Sequence, residues 1–465
     1  MMNYERRGST GFGAASRGAN RPETTGRSLV LMRHDGDAMQ SAIKVLQDTA
    51  RINVLRTSDL RDGGKTTAVP QSSALFLESL GVAIVNGDPD QVGRMSIQAT
   101  RNDSILAIEP ERVVYMAAMP RFMGGRAAAT TSGAGEAVTR EYLRGYRDGI
   151  DHAAGLCFPS GAAPISAAGA ARAAAFNESV TTWGLQATRV LESPWTGSGI
   201  RVAVLDTGFD SSHPDFAGRA VVEQSFVAGE TTQDRQGHGT HCIGTSMGTR
   251  QPSPLPRYGV AYEAAIFVGK VLNNQGSGGD GDILAGINWA VQQKCSVVSM
   301  SLGAATFPGQ KPSTVFENMA RRALALGTLI VAAAGNESDR RTHPPFVAPV
   351  GHPANCPSIM AVGAVDAAFE VAFFSCAGQE PNGGQVDIAG PGMDVYSTWL
   401  MPQRYNTISG TSMATPHVAG IAALYAQANP GISAVDLWTR LVKSARNVGL
   451  SADDGGSGLV QAPVG

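Results

Sequence analysis

The sequence predicts an α/β protein: a doubly wound parallel sheet in the C-terminal part, preceded by a small α+β unit of ferredoxin-like order. Three observations carry this. Short apolar runs at 202–205, 265–268, 297–300, 329–332 and 359–362 lack the polar alternation of half-exposed strands, so they read as strands buried on both faces. Helical spacing at 282–293 and 313–326 falls between them, and strand–helix alternation is the pattern that covers a parallel sheet on both sides. Glycine is abundant, at 56 of 465 residues, as many tight strand-to-helix turns require.

Residues 1–27 are rich in Gly, Ser and Arg without apolar periodicity, and read as a disordered tail. They hold no apolar stretch of about 7–15 residues of the secretory kind, so the expected compartment is the cytoplasm or one reached by non-classical export. Residues 28–117 form the small unit. Leu29-Val-Leu-Met32 reads as a strand, and Ala38, Met39, Ala42, Ile43, Val45 and Leu46 recur at helical spacing. Runs at 52–55 and 74–77 are two candidate strands, followed by a strand at 82–85, a helix opened by Asp88-Pro-Asp90 and a closing strand at 105–108. Which of the two middle runs pairs with 82–85 stays open at this level. Residues 118–180 read as a spacer with one amphipathic helix, because Val138, Tyr142, Tyr146 and Ile150 repeat every fourth residue. Residues 181–465 are the larger domain.

Charge is nearly balanced, 37 Lys and Arg against 39 Asp and Glu, and no basic run points to nucleic acid. No apolar stretch approaches the roughly 18 residues that span a membrane. Five cysteines, Cys157, Cys242, Cys295, Cys356 and Cys376, have no metal-ligand spacing, and their odd number leaves at least one unpaired within the chain. Cys242 is expected as a small buried residue.

Four motifs carry chemistry. Gly410-Thr-Ser-Met-Ala-Thr-Pro-His-Val-Ala-Gly420 puts Ser412 where a turn feeds an apolar helix, at the end that favours developing negative charge. Asp206-Thr-Gly208 follows a buried strand. His238 lies between glycines in Gln236-Gly-His-Gly-Thr-His-Cys-Ile-Gly244, and Leu329-Ile-Val-Ala-Ala-Ala-Gly-Asn336 presents an amide at a strand end. A nucleophilic serine needs a base, the base an orienting acid, and the oxyanion a donor; Ser412, His238, Asp206 and Asn336 are the residue types for those roles.

In that chain order the motifs resemble the subtilisin-like serine proteases. The resemblance implies a serine endopeptidase acting on polypeptides through an acyl-enzyme, as a monomer, with Ser412 N–H and Asn336 as oxyanion hole. It further implies that Gly276, Ser277, Gly278, Ser301, Leu302 and Gly303 pair with substrate backbone, while Ala333, Ala334, Gly335 and Gly351 wall an S1 pocket roomy enough to favour a large apolar residue. No cofactor is implied for the chemistry. Asp215 and Asp366 match acidic ligands of structural calcium sites in relatives, but the loop 250–257 is Pro-rich and lacks the Asn expected there, which predicts weak or absent calcium dependence. Residues 28–117 resemble the inhibitory propeptide, which implies a self-processing zymogen cut between about 115 and 123, with Tyr115, Met116 or Met119 entering S1. Two rival readings are an aspartic protease built on Asp206, which needs a second Asp-Thr-Gly copy, and a catalytically silent binding protein of the same fold.

Overall fold

The computed structural model describes residues 22–33, 36–60, 69–101, 103–117, 176–378 and 384–465. The expected spacer helix around Tyr142 and Tyr146, and Cys157, lie outside the described residues.

The N-terminal unit runs β1 (Thr24–Met32), α1 (Gly36–Lys44), β2 (Asn53–Arg56), β3 (Ser73–Leu77), β4 (Val82–Asn86), α2 (Pro89–Ala99) and β5 (Ile105–Met116). Its antiparallel sheet has the order β5-β1-β4-β3, and β2 adds to the edge parallel to β3. The 74–77 run is therefore the partner of 82–85. Side-chain alternation divides the sheet: Val30 and Met32 pack on the unit's own helices with Ile43, Leu46 and Met95, whereas Leu29 and Leu31 face the larger domain. Helix α2 starts where the Asp88 carboxylate accepts from Gln91 N and the Gln91 side chain bonds back to Asp88 N, a reciprocal cap. One boundary needs correction. Strand β1 begins at Thr24, so residues 24–27 belong to the sheet and not to a disordered tail.

In the larger domain the parallel strands are β6 (Arg201–Asp206), β7 (Val221–Ser225), β8 (Ala265–Lys270), β10 (Val297–Met300), β12 (Leu329–Ala333), β13 (Met360–Val365) and β14 (Ile388–Pro391). They lie in the order β14-β13-β12-β10-β6-β8-β7, with every neighbouring pair parallel. The order reverses between β6 and β10, and a crevice beyond the strand ends is expected there. Val202 and Val204 face α3 (His238–Met247) and α6 (Thr411–Ala428), while Ala203 and Leu205 face α4 (Asp280–Gln292) and α5 (Thr314–Ala325). Helices α4 and α5 thus lie between the two sheets, sharing a core with Leu29, Leu31, Leu75, Leu77, Val82 and Ile84 of the small unit. Helix α6 is buried from Thr411 to Ala426, which explains why small residues occupy every face.

Two short strands flank the crevice, β9 (Ser277–Gly279) and β11 (Leu302–Gly303). Both are antiparallel to β5, which enters between them.

Candidate active site

Asp206 ends β6, and its Oδ1 accepts from Thr207 N at 2.7 Å and faces His238 Nδ1 at 2.8 Å. His238 opens α3 after Gly237, whose φ of 102° and tight seat against the Trp399 ring exclude a side chain. Both groups are buried, and among the described residues Asp206 Oδ2 and His238 Nε2 have no hydrogen-bond partner. Burial opposes protonation of the His238 ring, but the Asp206 carboxylate at Nδ1 outweighs it, and the imidazole is held above its usual value.

Ser412 lies in the first turn of α6. Its hydroxyl donates to the Ser301 carbonyl at 3.0 Å, and the Ser301 hydroxyl donates back to the Ser412 carbonyl at 2.8 Å. This reciprocal pair ties the serine turn to the strand end at β10. Asn336 follows Gly335, a left-handed turn residue with φ 114°. Thr411 settles the amide's orientation: its N–H and its hydroxyl both donate to Asn336 Oδ1, each at 2.9 Å, so Nδ2 points the other way, into the crevice. There it donates to the carbonyl of Ala117.

The tail of the small unit therefore occupies the crevice as an extended strand. Val113, Val114 and Tyr115 pair with Gly279, Gly278 and Ser277; Tyr115 and Met116 pair with Gly303 and Leu302. Met116 N donates to Gly276 O at 2.9 Å, and Ala117 N to Ser301 O at 3.2 Å. Gly276, Ser277, Gly278, Ser301, Leu302 and Gly303 thus all lie along one bound strand. Gly351 N donates to Ala334 O at 2.8 Å, bringing Gly351 against the Ala333-Ala334-Gly335 segment beside Asn336. The residue whose carbonyl meets Asn336 is Ala117, so the expectation that Tyr115 or Met116 takes that position is corrected; Met119 is outside the described residues.

Outside the crevice the tail is fixed by two carboxylates. Glu109 accepts from Ser313 Oγ at 2.6 Å and Thr314 N at 2.7 Å at the start of α5. Glu111, fully buried, accepts from Gly281 N at 2.7 Å at the start of α4 and from Arg27 at 2.5 and 2.6 Å. Helix N-termini have unpaired N–H groups, so each carboxylate completes a helix of the other domain.

Cys242 is buried, with Sγ 3.9 Å from His238 Nδ1. Burial pushes its thiol up, so it stays neutral and is no nucleophile. The described cysteines, Cys242, Cys295, Cys356 and Cys376, are all free. The calcium candidates do not fit a calcium ion. Asp215 is engaged by donors, Tyr258 Oη at 2.5 Å and Tyr405 Oη at 3.0 Å, with Arg404 at 3.8 Å. Asp366 accepts from Ala368 N and Glu370 N, both at 2.9 Å, within its own turn. Neither gathers the roughly six to eight oxygens calcium takes.

The Subtilase family model matches residues 197–460, more than half of the chain. The chain belongs to the subtilase family. Subtilisin from Bacillus pumilus is 40% identical over 259 residues, 55% of this chain and 87% of its own length. Subtilisin Savinase from Lederbergia lenta is 40% identical over 284 residues, 60% of this chain and 96% of its own length. Among solved structures, Sphericase matches with a TM-score of 0.52 and 34% identity, over 60% of this chain and 98% of that one. This subtilase is a serine endopeptidase, which leaves the aspartic and catalytically silent readings without support. Among the described residues no helix is long and apolar enough to cross a membrane.

Sequence reasoning missed Thr411 as the residue that aims Asn336, and the second role of Ser301 in holding the serine turn. The first has a local signal in hindsight, since Thr411 immediately precedes Ser412. The second is a contact between residues 111 positions apart, with no local signal.

Proposed function

We propose that this subtilase is made as a self-processing zymogen, cut at its own Ala117–Ala118 bond, with residues 22–117 then remaining as a non-covalent inhibitor. The observation that carries the reading is the Ala117 carbonyl on Asn336 Nδ2 while Ala117 N–H is held by Ser301 O. That is the pose of a residue whose carbonyl carbon is to be attacked.

In the proposed mechanism Ser412 turns its hydroxyl from the Ser301 carbonyl toward His238 Nε2, by rotation between staggered wells. His238 takes the proton as Oγ attacks, and Asp206 at Nδ1 holds the tautomer and stabilises the imidazolium. Negative charge grows on the former carbonyl oxygen, stabilised by Asn336 Nδ2 and Ser412 N–H. His238 then delivers its proton to the leaving amine, and water repeats the cycle to free the acid. Losing the Asn336 donor is expected to lower kcat by roughly 10²–10³, the size known for this loss in a subtilisin. Towards other polypeptides, backbone pairing along the two strands gives broad specificity. The small walls at 333–335 and Gly351 favour a large apolar side chain in S1, and Val114, fully buried, marks a second apolar subsite three residues upstream.

Expression of Ser412→Ala in a host lacking other proteases tests the proposal. The mutant should stay uncut, whereas the wild type yields a fragment beginning at Ala118. Cleavage of the mutant at the same bond would overturn it.

A further inference from the structure

We propose that Asp234 is a positioning residue of this site, one that sets the placement of the Asp206 turn relative to the His238 helix; the inference rests on the triad assignment above. Asp206 and His238 lie on different elements, and their 2.8 Å contact is the only bond in which Asp206 meets α3. Among the described residues Asp206 Oδ2 has no donor of its own, so no cage around its carboxylate holds the acid in place there. Something else must fix the two elements together.

Asp234 is buried, four residues before His238, and five donors converge on it. Its Oδ1 accepts from Thr207 Oγ1 at 3.0 Å and from Gln236 N and Gly237 N, both at 2.9 Å. Its Oδ2 accepts from Thr240 N at 3.0 Å and Thr240 Oγ1 at 2.8 Å. The Thr207 hydroxyl that donates to Asp234 also accepts from Gly239 N at 2.9 Å, and Thr240 Oγ1 accepts from Asp210 N at 3.0 Å. Each flank of the Asp206 turn is thereby bonded to the first turn of α3, directly or through Asp234. The backbone repeats the link, with Asp234 N donating to Phe209 O at 3.1 Å and Phe209 N to Thr232 O at 2.9 Å.

Chemistry demands a carboxylate here. Five donors and no acceptor meet at Asp234, at a helix N-terminus that favours an anion. An asparagine satisfies at most one side of this cluster; its NH2 then confronts either the Thr240 donors or those of Thr207, Gln236 and Gly237. The nearby charges are Asp206, His238 and the buried Lys270, whose Nζ binds Thr207 O and lies 3.3 Å from Glu230. The cleft strands β9 and β11 have no bond to Asp234, so substrate binding should be spared.

The test uses the full-length chain with Asp234→Asn, Thr207→Val and Thr207→Ser, assayed for kcat, KM, pH profile and melting temperature on a peptide anilide. Asp234→Asn should lower kcat on the order of 10–100-fold at nearly constant KM, as loss of catalytic alignment does. The acid limb of kcat/KM should move to lower pH, because a displaced Asp206 carboxylate holds the imidazole's proton less firmly. Thr207→Val should act in the same direction, Thr207→Ser should recover most of that loss, and the Asp234→Asn/Thr207→Val double mutant should fall short of the product of the singles. If Asp234→Asn does not fold, the Thr207 pair carries the test. Unchanged kcat and pH midpoint in variants that merely melt earlier would overturn the positioning role. Ser412→Ala with kcat within about tenfold of wild type would overturn the triad assignment and this inference with it, since a lost nucleophile leaves only the small residual catalysis of the oxyanion hole and binding; a loss of several orders of magnitude in Ser412→Ala beside an unaffected Asp234→Asn would overturn the inference alone.

Discussion

Replacing Arg27 with methionine should weaken the hold of the N-terminal unit on the catalytic domain while leaving the chemistry at Ser412 untouched. Arg27 Nε and Nη2 lie 2.5 and 2.6 Å from the Glu111 carboxylate, and Nη2 is 3.2 Å from Asp282 of α4. Glu111 is fully buried, and without Arg27 it keeps Gly281 N and the Thr25 hydroxyl as donors but loses its countercharge. Removing one partner of a buried pair costs about 3–5 kcal/mol. Arg27 is 19% exposed, so solvent screens part of this, and about 2–3 kcal/mol is the appropriate range. At 1.4 kcal/mol per tenfold, inhibition by the released N-terminal fragment should weaken about 30–150-fold. The assay titrates mature enzyme with wild-type and Arg27→Met fragments, and follows the lag before activity appears in the processed chain, which should shorten. Glu111→Gln combined with Arg27→Met should cost less than the sum of the two, since the amide needs no countercharge. A fragment within threefold of wild type, or strictly additive losses in the double mutant, would refute the reasoning.

Three further outcomes follow from the geometry, and one from the bound tail. His238 must be neutral to act as base, and its pKa is raised, so kcat/KM should be lost below that raised value and recover as pH increases, with a midpoint above the usual 6.5; release of the tail lessens the burial that opposes protonation and so does not reverse the sign. A midpoint at or below 6 in a pH–rate profile would contradict this. Cys242 Sγ, Asp206 and His238 offer ligand atoms within 4.8 Å of one another, so mercurials should inhibit slowly, and Cys242→Ala should retain activity while losing that sensitivity. EGTA should shift the melting temperature little, since Asp215 is occupied by Tyr258, Tyr405 and Arg404; a large fall would count against the reading. Ala117→Phe should tighten the fragment's inhibition if S1 favours large apolar side chains, and unchanged or weaker inhibition would remove that preference.

Much of this was legible in the sequence because its signals are local. The strands at 297–300 and 329–332 are apolar on both faces and end sharply, and Asp206, His238, Asn336 and Ser412 each sit in a motif only a few residues long. Two strands of the parallel sheet escaped for physical reasons. Val221-Val-Glu-Gln-Ser225 lies at the sheet edge and is buried only in part, and Ile388-Ala-Gly-Pro391 carries a Gly and a Pro, which an edge position tolerates. The start of β1 was illegible because its reasons are distant. Thr25 and Arg27 are polar residues ordered by Glu111, 84 residues beyond Arg27, and by Asp282, 255 beyond it. Asp215 misled in the same way, since Tyr405, 190 residues on, supplies a donor to a carboxylate whose motif suggested a cation.

The contacts of the tail separate cutting from holding. An ordinary product of proteolysis has only the strands at 277–279 and 302–303 and the donors at Asn336 and Ser301 to bind it, and once its bond is broken nothing else keeps it there. The tail shares those contacts but is also continuous with a sheet whose Leu29, Leu31, Leu75 and Ile84 are buried on α4 and α5, and with carboxylates that complete the N-termini of both helices. Binding through two linked surfaces makes each engagement effectively intramolecular with respect to the other. Breaking the Ala117–Ala118 bond removes neither. On the proposed reading, then, Ser412 decides whether the chain is cut, whereas the α4–α5 surface, with Arg27 and Glu111 at the start of α4, decides how long the cut enzyme stays silent.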